Sequence, residues 1–194
     1  MRVIAGAAKG RRLQVPRGRT VRPSGAKWRE SAFGIVEHRM PIADARVLDL
    51  YAGSGALGIE ALSRGARSVV AVEQDRETAR VLARNASACG LEEKLEVLVE
   101  PVVAALGRLA GRRFDLVLLD PPYESGDIAA VLAKLDSKDL VAPSGLVVVE
   151  HGRRDVVTAP PSLSIELERR YGDSLLTLLR QRPGSVEIPV HVAS

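Results

Sequence analysis

The sequence predicts an α/β fold: a Rossmann-like, mostly parallel seven-stranded sheet flanked by helices, closed by a C-terminal antiparallel hairpin and preceded by a small basic N-terminal extension. Three observations predict it. Beyond Pro41, short apolar runs alternate with helical patterns of 8 to 15 residues, as crossover connections in a parallel sheet require. The first run feeds a glycine-rich turn, "AGSGALG", and then a helix. The last two runs, in "LSIELERRYGDSLLTLLRQ", are separated only by a Gly-Asp turn, which leaves no room for a crossover helix.

Residues 1–40 form the extension. Gly6, Gly10, Pro16, Gly18 and Pro23 punctuate it, so short strands or a hairpin are expected at about 2–15. A helix is expected at about 26–39, with Trp28, Phe33 and Val36 anchoring one face. The main domain spans 41–182. "ARVLDLYAGSG" is a buried strand entering the glycine turn, and "ALGIEALSRGA" a helix closed by Gly65. "SVVAVEQD" is the second strand, and "RETARVLARNASACG" a helix closed by Gly90. "LEVLV" is the third, followed by a helix at about 102–110; "FDLVLLD" is the fourth. "GDIAAVLAKL" is a helix and "SGLVVVEH" the fifth strand. The tail, 183–194, is expected to be poorly ordered.

Composition narrows the function classes. A chain of 194 residues, 46% hydrophobic and 27% charged, suits one soluble domain with one core. No apolar run approaches the roughly 20 residues needed to span a bilayer, and no signal peptide is visible. The lone Cys89 excludes an internal disulfide and fits a reducing cytoplasm. With His38, His151 and His191 scattered, no metal site is expected. A monomer is the default. Charge is unevenly distributed. Residues 1–40 hold ten Lys or Arg against Glu30 and Glu37, a net +8, whereas the remainder is 18 against 22, a net −4. Such a segment points to a polyanion, with Lys9, Arg11, Arg12, Arg22, Lys27 and Arg29 as candidate RNA-binding cations.

In "DLYAGSGALG", Gly53, Gly55 and Gly58 have the spacing of a nucleotide-cofactor fingerprint, and Glu73 ends the next strand about 20 residues on, where an acid accepts ribose hydroxyls. Asp49 precedes the glycines by four residues. A carboxylate there repels a pyrophosphate but attracts the amino group and sulfonium of S-adenosylmethionine. "FDLVLLDPPYESG" ends an apolar strand on an acid, two prolines and an aromatic. Exocyclic base amines are poor nucleophiles, because their lone pair is delocalised into the ring. Asp120 and the carbonyl of Pro121 can each accept from one NH2 group and draw that lone pair outward, while Tyr123 stacks on the base; the prolines fix the turn.

These segments resemble the bacterial 16S rRNA guanine-N2-methyltransferase family of RsmD type. "RVIAGAAKGRRLQVP", "RPSGAKWRESAF", "VLDLYAGSGALGIEALSRGA", "VEQD", "DPPY" and "YGDSLLTL" carry the resemblance, in that order, over about residues 1–182. It implies a class I methyltransferase fold and conversion of S-adenosylmethionine to S-adenosylhomocysteine. It implies one guanine N2 of 16S rRNA as target, in assembled or partly assembled small subunits. Asp49, Gly53, Gly55 and Glu73 would hold the cofactor, with Leu57 and Gln74 completing the set; Asp120, Pro121 and Tyr123 would hold the base. Arg29 and Glu30 match the family's Arg-Glu pair. Two departures stand out. Ser24 and Ala26-Lys27 replace a Thr and an Asp-Arg pair, and Glu100-Pro101-Val102 replaces the Asn or Asp followed by Ala that meets the adenine. Glu100 or the backbone of Val102 takes that contact here. An amino-methyltransferase acting on DNA or on a protein glutamine shares the chemistry. A nicotinamide dehydrogenase explains the glycines but not the Pro-Pro turn, and a non-catalytic RNA-binding module explains the basic segment but not the cofactor cleft.

Overall fold

β-Branched and leucine-rich runs between glycine and proline punctuation form seven strands: β1 (Arg46–Leu50), β2 (Ser68–Val72), β3 (Leu95–Leu98), β4 (Phe114–Leu119), β5 (Val141–Gly152), β6 (Leu163–Tyr171) and β7 (Ser174–Gln181). The computed structural model describes residues 1–16, 25–122 and 128–183. The strands join in one sheet, ordered β3-β2-β1-β4-β5-β7-β6. The first five run parallel; β7 is antiparallel to both β5 and β6. The expected mostly parallel sheet with a hairpin at one edge is therefore the observed fold. The chain winds outward from β1 to β3 and then returns to place β4 on the other side of β1, so the switch point lies between β1 and β4.

Helices α1 (Gly25–Glu37), α2 (Ala56–Ser63), α3 (Arg76–Cys89), α4 (Val102–Arg108) and α5 (Ile128–Ser137) cover both faces. Strand alternation divides the core. Val47, Leu116, Leu118, Leu146, Val148, Leu176 and Leu178 pack with Trp28, Phe33 and Val36 of α1 and Leu57 and Leu62 of α2. Leu48, Leu50, Val117, Leu119, Val147 and Val149 pack with α4 and α5 on the opposite face. Asp75 caps α3 by accepting from the Thr78 N–H at 2.7 Å, and Gly90 ends the helix at φ 69°, where a side chain is disfavoured. Among the described residues no helix is long and apolar enough to cross a membrane, and no cluster of three His, Cys, Asp or Glu is placed to hold a metal ion.

The hairpin expected at 2–15 is present in short form: one antiparallel bridge, Arg2 to Arg12, with the Val3 N–H donating to the Arg11 carbonyl at 3.0 Å and the Leu13 N–H to the Met1 carbonyl at 2.9 Å. Side chains from the main domain satisfy its backbone. Glu60 accepts from the N–H groups of Ile4 (2.8 Å) and Ala5 (3.0 Å), Ser63 Oγ from Ala8 (3.0 Å), and Asn85 Oδ1 from Gln14 (2.8 Å). Val3, Ala8 and Leu13 pack onto Ile59 of α2 and Ala86 of α3. A Cβ on Gly6 would lie 1.8 Å from the Ser63 carbonyl oxygen, so the segment reaches α2 only with glycine there. Residues 1–16 are thus docked on α2 and α3. Arg22 and Tyr123 lie outside the described residues, as does the tail beyond residue 183.

Candidate active site

A cleft of about 420 Å³ opens over the carboxyl ends of β2, β1, β4 and β5. Its floor is the turn after β1, with Tyr51, Ala52, Gly53, Ser54 and Leu57. Gly55 holds φ 82°, and a Cβ there would meet Leu82 Cγ at 2.8 Å, so this turn needs glycine for both conformation and space. Val72, Glu73, Gln74 and Val102 form one end, and Asp120, Pro122 and Glu150 the other. The remaining wall comes from the N-terminal segment: Met1, Val15, Pro16, Trp28 and Arg29.

Glu73 is buried, and its two carboxylate oxygens accept from the N–H groups of Gly53 and Asp75, each at 2.9 Å. A carboxylate has about four acceptor positions, so these two bonds orient it and leave capacity for hydroxyl donors. Gln74 and Leu57 line the cleft as expected. Of the alternatives after β3, Val102 lines the cleft. Glu100 pairs with Arg108 at 2.8 Å.

Asp49 is also placed differently. It is buried at the base of the turn, where Oδ2 accepts from the Gly58 N–H at 2.8 Å, and it does not line the cleft. Its Oδ1 has no hydrogen-bond partner among the described residues. Burial pushes its carboxyl up to about 7; the Gly58 N–H opposes this, and the charges of Asp120 and Glu73 add to it. Asp49 thus fastens the first turn of α2 and leaves one buried acceptor beneath the glycines. Asp120 lines the cleft at the end of β4; Pro121 is buried and Pro122 faces the cleft.

Lys9, Arg11, Arg12 and Lys27 are all exposed, as expected, the first three on the docked N-terminal segment and Lys27 on α1. Arg29 is not: it is 3% exposed, so its assignment to an RNA-facing surface is corrected. Its guanidinium donates to the Arg2 carbonyl at 2.6 Å and to Met1 Sδ at 2.8 Å, and lies 3.9 Å from Glu60. Burial lowers its pKa, Glu60 raises it, and Arg64 lowers it further. Arg29 therefore ties the N-terminal segment to α1 and reaches the cleft wall. Trp28 anchors the core, as expected, and also lines the cleft; its Nε1 has no partner among the described residues. Tyr171 packs, through Ser31. His151 is buried and contacts Thr177 Oγ1 at 2.8 Å. Sequence reasoning missed Glu150, although the alternation of "SGLVVVEH" puts it on the Val148 face, where Asp120 also emerges.

A family model described as "Conserved hypothetical protein 95" matches residues 1–180. The chain belongs to this family. Two relatives are named "Ribosomal RNA small subunit methyltransferase D". That of Escherichia coli (strain K12) is 31% identical over 173 residues, covering 89% of this chain and 85% of its own, and that of Haemophilus influenzae is 31% identical over 175 residues, covering 89% of each. The family resemblance drawn from the sequence motifs is thereby borne out. The solved structure of the Escherichia coli protein yhhF superposes with a TM-score of 0.84 at 30% identity, over 94% of this chain and 98% of that one. A structure from Thermus thermophilus gives 0.78 at 36% identity, over 92% and 98%. The architecture is that of class I methyltransferases.

Proposed function

We propose that this chain is an rRNA methyltransferase of the small ribosomal subunit that transfers a methyl group from S-adenosylmethionine to the N2 amine of a guanine. The observation that carries the reading is that Glu73 and Asp120 lie at opposite ends of one cleft, across the switch point of the sheet. The donor set suits the cofactor: an oriented carboxylate for ribose hydroxyls, apolar Val72 and Val102 for a flat ring, and a glycine turn open to a close approach. When bound, S-adenosylmethionine supplies an electrophilic methyl carbon.

The chain's own residues prepare the acceptor. Asp120, joined by the Pro121 carbonyl, takes hydrogen bonds from the amine, and the proline pair holds that geometry before substrate arrives. Tyr123 stacks on the base. Lys9, Arg11, Arg12, Arg22 and Lys27 meet phosphates, while Arg29 supports the segment that carries them. The names of the relatives favour small-subunit rRNA over DNA or a protein amide. Radiolabelled methyl transfer offered in parallel to small-subunit particles, naked rRNA and DNA tests the reading. Label on a guanine N2 of the small-subunit RNA is expected; label confined to DNA or protein refutes it.

A further inference from the structure

The cleft contains a carboxylate for which methyl transfer, as described so far, has no task. Glu150, on β5, is 5% exposed, lines the cleft, and accepts from Ser174 Oγ at 3.1 Å, which orients its side chain. Register fixes its position. β4 and β5 run parallel with Leu118 beside Val148 and Leu119 beside Val149. The next residues along the two strands, Asp120 and Glu150, therefore stand side by side at the strand spacing of about 4.8 Å. Alternation sets their face. Leu118 and Val148 belong to the core layer that contains Trp28, and Leu119 and Val149 to the opposite layer, so both acids return to the Trp28 side.

We propose that Glu150 selects guanine, by accepting the N1–H of the same base whose N2 amine is held at Asp120; this rests on the reading of the acceptor as a guanine amine. Guanine presents two neighbouring donors on that edge, N1–H and the N2 amine, and two acceptors on adjacent strands match them. Adenine presents an amine beside an acceptor nitrogen, N1, and cytosine an amine beside N3. Opposite Glu150 either leaves acceptor facing acceptor in a buried site, losing the hydrogen bond and its desolvation cost together. Glu150 thus turns a cleft able to hold any exocyclic base amine into one that prefers guanine.

The test compares small-subunit particles carrying either guanine or 2,6-diaminopurine at the methylated nucleotide. The analogue keeps the N2 amine but presents N1 as an acceptor. The wild type should favour guanine in kcat/KM by about 10- to 100-fold, the range for one good base contact. Glu150→Gln, whose amide can offer either an oxygen or an NH2, should bring the ratio to within about threefold of one. Calorimetric cofactor affinity near the wild-type value checks that the variant is folded. A wild-type ratio near one overturns the inference without recourse to any variant. So does a Glu150→Gln protein that slows on both substrates while keeping the wild-type ratio, because that is the signature of a merely structural carboxylate. Absence of guanine N2 methylation by the wild type would sink the underlying reading as well, whereas guanine methylation with an unaltered ratio removes Glu150 alone.

Discussion

Replacing Glu60 by Ala should detach the N-terminal segment. Glu60 is fully buried and accepts from three donors: the Ile4 N–H at 2.8 Å, the Ala5 N–H at 3.0 Å and Arg64 Nε at 2.9 Å. It also faces Arg29 Nε at 3.9 Å, and that nitrogen has no hydrogen-bond partner among the described residues. Arg29 is itself 3% exposed, so the substitution leaves a guanidinium in the interior without its nearest carboxylate. Breaking a buried pair by removing one partner costs about 3–5 kcal/mol. For a chain of this size each kcal/mol corresponds to about 2–4 °C, so Tm should fall by about 6–20 °C. Urea unfolding gives the free energy, and hydrogen exchange gives its location. The amides of Val3, Ile4, Ala5 and Ala8 should lose protection before those of β1 and β4, since the segment is held mainly by Glu60, Ser63 and Asn85. Stability within about 1 kcal/mol of wild type, with those amides still protected, would refute the assignment of Glu60 as the clamp.

Three further outcomes are expected. Asp49 has a folded pKa of about 7 against an ordinary 3.8, so the native state binds its proton more tightly than the unfolded chain; its own contribution to stability is fully present below about pH 4 and is lost toward pH 7, by up to about 1.4 kcal/mol per unit. Asp49→Asn should remove that decline, and urea midpoints that fall in parallel for both proteins contradict it. Asp120→Ala should lower turnover by about 10²–10³ while cofactor affinity, read by calorimetry, stays close to wild type; equal turnover would make the carboxylate structural. Changing Lys9, Arg11 and Arg12 together to Ala should flatten the dependence of log RNA affinity on log salt by roughly 2–3 units, measured by filter binding, and an unaltered slope would take this surface out of RNA docking.

Most of the main domain was legible because local signals agree with the final packing. Gly90 ends α3 where glycine was expected to end it, and the Gly172-Asp173 turn closes the β6–β7 hairpin. Glu73 and Asp120 were found because each ends a strand at the same edge of the sheet. The misplaced residues share a cause: their partners are distant in sequence. Arg29 was counted as a surface cation because charge density carries no information on burial, and Glu60 lies 31 positions away. The hairpin at 2–15 is short, with Val3 and Leu13 bonded across it, and nothing in the sequence signals that Glu60, Ser63 and Asn85 take the backbone donors of Ile4, Ala5, Ala8 and Gln14 on its outer sides. Glu150 was readable from alternation, but only once β4 and β5 are known to be neighbours.

The pairing of β4 with β5 makes residue count as consequential as residue type. In both strands the apolar rows are leucine and valine on either face, so exchanges of similar volume within a row should be absorbed at modest cost. Loss of one residue between Leu116 and Asp120 is a different perturbation. The shortened strand would still be apolar and still end on Asp-Pro-Pro, but every side chain after the deletion would change sides, and the carboxylate would emerge toward α4 and α5 instead of into the cleft. The same holds for a single insertion in Leu146–Val149. Variation in these strands should therefore consist of substitutions that preserve their length, while differences in length collect in the connections beyond the strand ends.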